Sequence, residues 1–156
     1  MLRAAIAALL FLQAATMCGK PAGKELVARH AAPFTISSKP AKVTLDVARS
    51  KSRLASAAKS DRSTVVLEIE GVAADRPPRF IVAVFIGEQR VGEVALYGTS
   101  QPQTFAFGVD DVVAKALRRS SSLEIRFLPE SGLQGQPARP EAPVRIAAVS
   151  LSIEHL

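Results

Sequence analysis

The sequence predicts an all-β protein: an antiparallel β-sandwich or a jelly-roll-like barrel of about seven to eight strands, with one short helix. Short segments that alternate apolar and polar residues recur along the chain, and clusters of Gly, Pro, Ser and Asp separate them. Hydrophobic residues make up 48% of the 156 residues, which is enough for one folded domain, while aromatic residues make up only 5%. The core is therefore expected to be aliphatic.

The first residues are typical of a signal peptide, which we assign to 1–17. Arg3 gives the positive start, and an apolar run over 4–15 follows that is too short for a stable membrane span. We therefore predict a secreted or periplasmic protein whose residues 18–32 form a flexible leader. Cys18 is the only cysteine, so no intramolecular disulfide can form. It is either incidental to the cleavage point or, alternatively, the site of a lipid anchor.

Seven segments carry the strand pattern. In 64–72, for example, Val65, Leu67 and Ile69 share one face while Glu68 and Glu70 share the other. The segment 79–87 is apolar on both faces, which predicts a central strand covered on both sides. In chain order the predicted strands lie within 33–48, 64–72, 79–87, 90–98, 103–109, 122–130 and 144–154.

Two connections stand out from the strands. The basic, Ser-rich linker 49–62 has no run of large apolar residues, so a solvated loop is favoured over a short helix. The helix is predicted at about 110–119. Asp110 can cap its start, and Arg118 and Arg119 in its last turn match the negative end of the helix dipole.

The formal charge of +6 first suggests a nucleic-acid partner, but its distribution argues against one. Residues 19–62 include ten Lys/Arg and three Asp/Glu, whereas residues 63–156 include nine Lys/Arg and eleven Asp/Glu. The excess therefore lies in the leader and the linker, and few aromatic rings are available to stack on bases. We predict no nucleic-acid partner; an acidic surface on a partner protein stays open.

The chemically reactive side chains form no recognisable site. His30 and His155 fall in the leader and next to the C-terminus, where neither can complete a metal site. The carboxylate pairs and the serines have structural explanations. Glu68 and Glu70 are explained as a solvent-facing pair on a strand, and Asp110 and Asp111 as the start of a helix. The serines at 120–122 are explained as a turn. We therefore predict no catalytic, cofactor-binding or metal-binding residue in this chain.

The order of these segments resembles the C-terminal domain of polyphenol oxidases, the plant-type catechol oxidases and tyrosinases. "ARSKSR" (48–53) resembles the family's basic linker, and "VLEIEGV" (66–72) its next strand. "IVAVFIG" (81–87) keeps the apolar frame of the following strand without the family's Lys and Asp. The resemblance continues through 105–109 and "FLP" (127–129) to "AVSLSIE" (148–154), and so covers 33–154.

The resemblance implies a function without catalysis. In that family the C-terminal domain covers a separate copper domain, which holds two copper ions through six histidines; this chain has two histidines. The resemblance thus implies a diverged, stand-alone copy that shields or stabilises a separate copper oxidase, with copper only in that partner. The alternatives are a free-standing secreted binding or adhesion module, using loops 49–62 and 129–143, and an enzyme in its own right.

Overall fold

The structure is a computed structural model that describes residues 23–96, 101–131 and 142–156. Within these residues the chain forms ten β-strands, two short α-helices and a 3-10 turn at Ala48–Ser50. The strands are β1 (Lys24–His30), β2 (Phe34–Ile36), β3 (Ala41–Asp46), β4 (Ser63–Val72), β5 (Ile81–Ile86), β6 (Gln89–Val94), β7 (Gln103–Gly108), β8 (Ser122–Glu130), β9 (Val144–Ile146) and β10 (Ala148–His155). The helices are α1 (Lys51–Ala57) and α2 (Asp110–Leu117). The predicted all-β class is confirmed.

Two four-stranded antiparallel sheets face each other. Sheet I has the strand order β1-β10-β4-β7, and sheet II has the order β3-β8-β5-β6. β2 and β9 form a separate two-stranded antiparallel sheet. Because each sheet has two free edges, the architecture is a sandwich and not a closed barrel.

The core lies between the sheets and is built from alternating residues. In β3, Val43 and Leu45 are buried while Lys42 and Thr44 are exposed, as the sequence pattern predicts. Phe127 of β8 is completely buried. Each large side chain buried in this way stabilises the fold by about 1.5–3 kcal/mol.

Two glycines allow close approaches that hold the sandwich together. A Cβ on Gly92 of β6 would lie 2.2 Å from the ring of Phe107, so β6 and β7 meet where only a hydrogen fits. Gly71 has φ of +61° beside a register shift in β4, and its Cβ would lie 2.6 Å from that of Ala147. Glycine suits both positions because it lacks a Cβ and tolerates positive φ.

Both helices lie at the same end of the sandwich. β3 ends there and β4 begins there, with α1 between them; β7 ends there and β8 begins there, with α2 between them. The two helices also contact each other. We call residues 46–62 and 109–121 the helical end. The end that carries the turns 37–40 and 73–80 is the opposite end.

The expected flexible leader is wrong for part of its length. Lys24–His30 forms β1, which pairs with β10 at the edge of sheet I. Its sequence does not alternate cleanly, and its register shifts between Leu26 and Ala28. A strand with a bulge loses the two-residue period on which sequence prediction depends. The predicted signal peptide, 1–17, lies outside the described residues.

The expected solvated loop in 49–62 is also wrong, because most of it is the 3-10 turn and α1. Leu54 is fully buried and Ala57 is 7% exposed, so one face of α1 joins the core. These positions are three residues apart and therefore share a helix face. Alanine favours the helical conformation, and the buried Leu54 attaches this short helix to the core.

Several element boundaries differ from the prediction. The first predicted strand is divided into β2 and β3, and the last into β9 and β10, with Ala147 at the break. β6 ends at Val94, before residues that the structure does not describe. α2 ends at Leu117, so Arg118 and Arg119 follow the helix and Lys115 is the basic residue in its last turn.

Candidate functional site

The two histidines lie at opposite ends of sheet I. His30 is the last residue of β1, and its ring packs edge-on to Phe34 at 6.2 Å between centroids. His155 is the last residue of β10, and it pairs with Ser63 at the helical end. The two imidazoles therefore cannot bind one ion. Across 23–96, 101–131 and 142–156, no three His, Cys, Asp or Glu side chains converge as a metal site requires. Cys18 lies outside these ranges.

Glu68 and Glu70, the carboxylate pair on β4, are engaged in ion pairs across the outer face of sheet I. Glu68 binds the Nζ of Lys24, and Glu70 binds Nη2 of Arg29 at 2.6 Å. Both cations come from β1, so each ion pair crosses over β10, which lies between the two strands. The carboxylates therefore hold the sheet face together and are not poised as an acid–base pair.

The ion pairs cover a row of small residues on β10. Ala148, Ser150 and Ser152 face outward, yet each is at most 2% exposed because the long side chains of Lys24 and Arg29 lie over them. The Ser152 hydroxyl is buried without a hydrogen-bond partner. The outer face of sheet I is thus closed to a ligand along its centre.

Sheet II is closed in the same manner. Arg90 of β6 binds Glu130 of β8 at 3.2 Å, across β5, where Ala83 is fully buried. The guanidinium of Arg126 lies 5.6 Å from the ring centroid of Phe85, a cation–π contact. Neither sheet face therefore offers an open apolar surface among the described residues.

Asp110 does not cap α2, contrary to the prediction. Its carboxylate accepts hydrogen bonds from the backbone N–H of Val65 at 2.8 Å and from the hydroxyl of Thr64 at 2.7 Å. The N-cap residue is Val109, which makes no side-chain capping bond. The ladder between β4 and β7 ends here because the chain turns into α2, so the Asp110 carboxylate supplies the acceptor that a strand carbonyl would have supplied.

The serines at 120–122 form a turn, as predicted. The backbone N–H of Ser122 donates to Oγ of Ser120 at 3.0 Å, and the two hydroxyl oxygens lie 3.2 Å apart. Such local side-chain bonds stabilise turns. No histidine is close to them in the sequence, so a Ser–His pair is not formed locally.

Two clefts open at the helical end. The α1 cleft, of about 430 Å³, lies between α1 and the ends of β1 and β10, and its walls include Arg62, Ile153 and His155. Arg53 and Glu25 also line it and form an ion pair with each other. The sequence prediction missed this cleft because it placed Glu25 in a flexible leader and Arg53 in a loop.

The α2 cleft is larger, at about 650 Å³. It lies between the C-terminal part of α2 and the turn that joins β5 to β6, and its walls include Lys115, Arg118, Arg119 and Glu88. The three cations make no ion pair among the described residues. Positive charge at the C-terminal end of a helix is favourable by about 0.3–1 kcal/mol, so part of this arrangement serves α2 itself.

The opposite end carries a well-formed but exposed ion pair. Arg145 donates two hydrogen bonds to Asp75, each 2.8 Å long. These bonds and the charge of Arg145 lower the pKa of the Asp75 carboxyl, and the same bonds and the charge of Asp75 raise the pKa of the Arg145 guanidinium. The backbones of Ala73 and Arg145 also bond reciprocally, which fastens the end of β4 to β9.

Positive charge is highest at the helical end but is not confined to it. The helical end carries eight Lys/Arg and four Asp, and the turns 37–40 and 73–80 at the opposite end carry three Lys/Arg and one Asp. Among the described residues, the large apolar side chains with high exposure are Leu26, 56% exposed, and Leu156, 84% exposed. The accessible surface is therefore largely polar, and its largest positive excess lies at the helical end.

The chain matches no family model and no curated protein. In the described part of the chain, no helix has the length and apolar character needed to cross a membrane. Of the two loops predicted as a recognition surface, 49–62 is largely helical and contributes to both the α1 cleft and the helical end. Much of the other, 129–143, lies outside the described residues.

Proposed function

We propose that this chain is a non-catalytic accessory module that binds a separate copper oxidase of the polyphenol oxidase type and shields or stabilises it. Support for a binding role comes from one observation: the carboxylates best placed for chemistry are used by the fold. Glu68 and Glu70 hold sheet I, and Asp110 completes the β4 ladder. Support for the partner comes from the resemblance of segments 33–154 to the family's C-terminal domain.

The test is direct binding to a copper oxidase catalytic domain that lacks its own C-terminal domain. We expect a complex on size-exclusion chromatography at about 10 μM of each protein, and slower oxidation of catechol when the chain is in excess. An unrelated β-sandwich of similar net charge is the control for non-specific association. The chain alone should neither oxidise catechol nor retain stoichiometric copper after dialysis.

A complex that fails to form at this concentration would count against the partner. Catechol oxidation by the chain alone, with copper bound, would count against the non-catalytic role itself. The two results are separable because the second needs no partner protein. Binding without any change in oxidation rate would support a stabilising role over a shielding one, and thermal unfolding of the oxidase would then measure it.

A second candidate is a free-standing secreted module with an unrelated ligand. The observation that favours it is the absence of a large exposed apolar patch in the described ranges, because a cover for a copper site is expected to dock through such a patch. The salt dependence of binding distinguishes the two candidates. Docking of a cover through apolar surface should persist at about 1 M salt, where the Debye length is about 3 Å. Binding of an unrelated ligand through the charged helical end should be lost at that salt concentration.

A further inference from the structure

We propose that the helical end is a docking surface for a bilayer that contains anionic phospholipids. This inference goes beyond the proposed function and does not depend on it. Segments 46–62 and 109–121 of the helical end carry eight Lys/Arg and four Asp, a net charge of +4, and the acidic residues Glu25, Glu88 and Glu154 border them. A polybasic surface gains about fivefold in affinity for an anionic leaflet per Lys or Arg close to it.

The cations of the helical end are free to bind, unlike those on the sheets. Lys24, Arg29, Lys42 and Arg90 of the sheets all make ion pairs with glutamates. At the helical end only Arg53 does so. The seven others have no ion pair among the described residues: Arg49, Lys51, Lys59, Arg62, Lys115, Arg118 and Arg119.

The shape of this charge favours a layer of headgroups over a nucleic acid. The seven cations are spread over both helices and their flanking turns, and all are exposed except the half-buried Lys51. A bilayer presents its charge over a wide plane, which a distributed patch can match. Residues 46–62 and 109–121 contain no Phe, Tyr or Trp, so the patch has no ring on which a base could stack.

The path of the chain supplies a second argument. β1 begins at Lys24, which pairs with Glu154 near the helical end, so the residues that precede β1 join the fold there. In the sequence, the predicted leader 18–32 includes the additional cation Lys20. Five residues separate Cys18 from Lys24, so an extended chain between them reaches at most about 20–22 Å. Any part of the leader held at a membrane would therefore keep this end next to the bilayer.

One exposed apolar side chain lies beside the basic residues. Leu156 follows β10 at the helical end, where its backbone N–H bonds the carbonyl of Arg62, and it is 84% exposed. An apolar side chain beside a basic patch can enter the headgroup region and add to electrostatic attraction. Leu26, 56% exposed, lies opposite Ser152 on the outer face of sheet I and takes no part in this contact.

Sedimentation of the full chain with lipid vesicles tests this proposal. One set of vesicles is phosphatidylcholine alone; the other contains about one third phosphatidylglycerol. We expect the partition coefficient to be more than about 25-fold higher on the anionic vesicles at low salt and to fall to the neutral value near 1 M NaCl. Partition onto the neutral vesicles measures the contribution of apolar contacts, so the ratio of the two partition coefficients measures the contribution of charge.

Paired variants locate the surface. R118Q/R119Q removes two unpaired cations from the helical end, and about fivefold per cation predicts a loss near 25-fold on anionic vesicles. K39Q/R76Q removes the same charge from the exposed turns at the opposite end and should change binding less than twofold. Near-UV circular dichroism should be unchanged in both, since neither pair makes an ion pair in the described structure.

Four results would overturn the proposal. Equal partition onto neutral and anionic vesicles would show that charge does not direct binding. An equal loss in K39Q/R76Q would show that net charge acts without a defined surface. Displacement from vesicles by millimolar glycerol phosphate, or retention on a poly-glutamate resin with no vesicle binding, would reassign the helical end to a small anion or to an acidic protein.

Discussion

Replacement of Asp110 by alanine should destabilise the protein by about 3 kcal/mol. The carboxylate accepts two hydrogen bonds, and bonds to a charged group contribute about 1.5–3 kcal/mol each. Val65 is fully buried, so its backbone N–H would be left without a partner near the core. For a domain of this size the loss corresponds to a fall in Tm of about 6–12 °C. Urea unfolding followed by far-UV circular dichroism measures it.

Asp111 provides a matched control for this prediction. It carries the same charge in the same first turn of α2, but it is exposed. Asp111→Ala should therefore remove only the favourable interaction with the helix dipole, about 0.3–1 kcal/mol. Asp110→Asn keeps one acceptor and should fall between the two. If Asp110→Ala and Asp111→Ala cost the same, the dipole and not the bonds to Thr64 and Val65 is the cause, and the assignment of Asp110 is wrong.

Two further predictions concern a close contact and an ion pair. Gly92→Ala should cost about 1–3 kcal/mol in the same urea assay because its Cβ would meet the ring of Phe107, whereas Gly108→Ala, with open space at its Cβ, should cost less than about 1 kcal/mol; equal costs would mean that Phe107 moves freely. Asp75→Asn should remove the pH-dependent part of the stability that the Asp75–Arg145 ion pair contributes. Because Arg145 lowers the pKa of Asp75 in the folded protein, the pair stabilises the fold fully at pH values above the ordinary aspartate pKa. This stabilisation is lost as the pH falls through the lowered pKa. The gap in Tm between wild type and Asp75→Asn should thus be small, present at neutral pH and closed in strong acid; a gap that widens in acid would contradict this sign.

The strands of the sandwich could be predicted from the sequence because one face of most of them is buried. Burial on one face imposes the two-residue alternation that β3 and β8 display. β1 could not be found in this way. It is an edge strand with a bulge, and its inward-facing residues include a charged one, Glu25, which binds Arg53 of α1. A charged residue on the inner face breaks the apolar alternation by which a strand is recognised, and only the pairing with β10 identifies β1 as a strand.

The role of the β4 carboxylates could be predicted only in part. Alternation places Glu68 and Glu70 on the outer face of sheet I, and they lie there. Their partners could not be predicted, because Lys24 and Arg29 are about 40 residues away and reach β4 only when β1 pairs with β10. Asp110 shows the same limit: its place at a helix start suggests a local cap, but the nearest unpaired donor belongs to a distant strand.

The positions of the N-terminal basic residues in the fold bear on both proposals. In the sequence they form one basic region, and a solvated segment of this kind would present only an averaged charge. The structure divides them by function. β1 brings Lys24 and Arg29 into ion pairs that close sheet I, whereas Lys51 in α1, and Arg49 and Lys59 on either side of α1, lie at the helical end without such partners. Charges on folded segments have a fixed pattern, and such a pattern can be altered residue by residue. That is why two glutamine substitutions after α2 and two at the opposite end, identical in net charge, are expected to differ in effect.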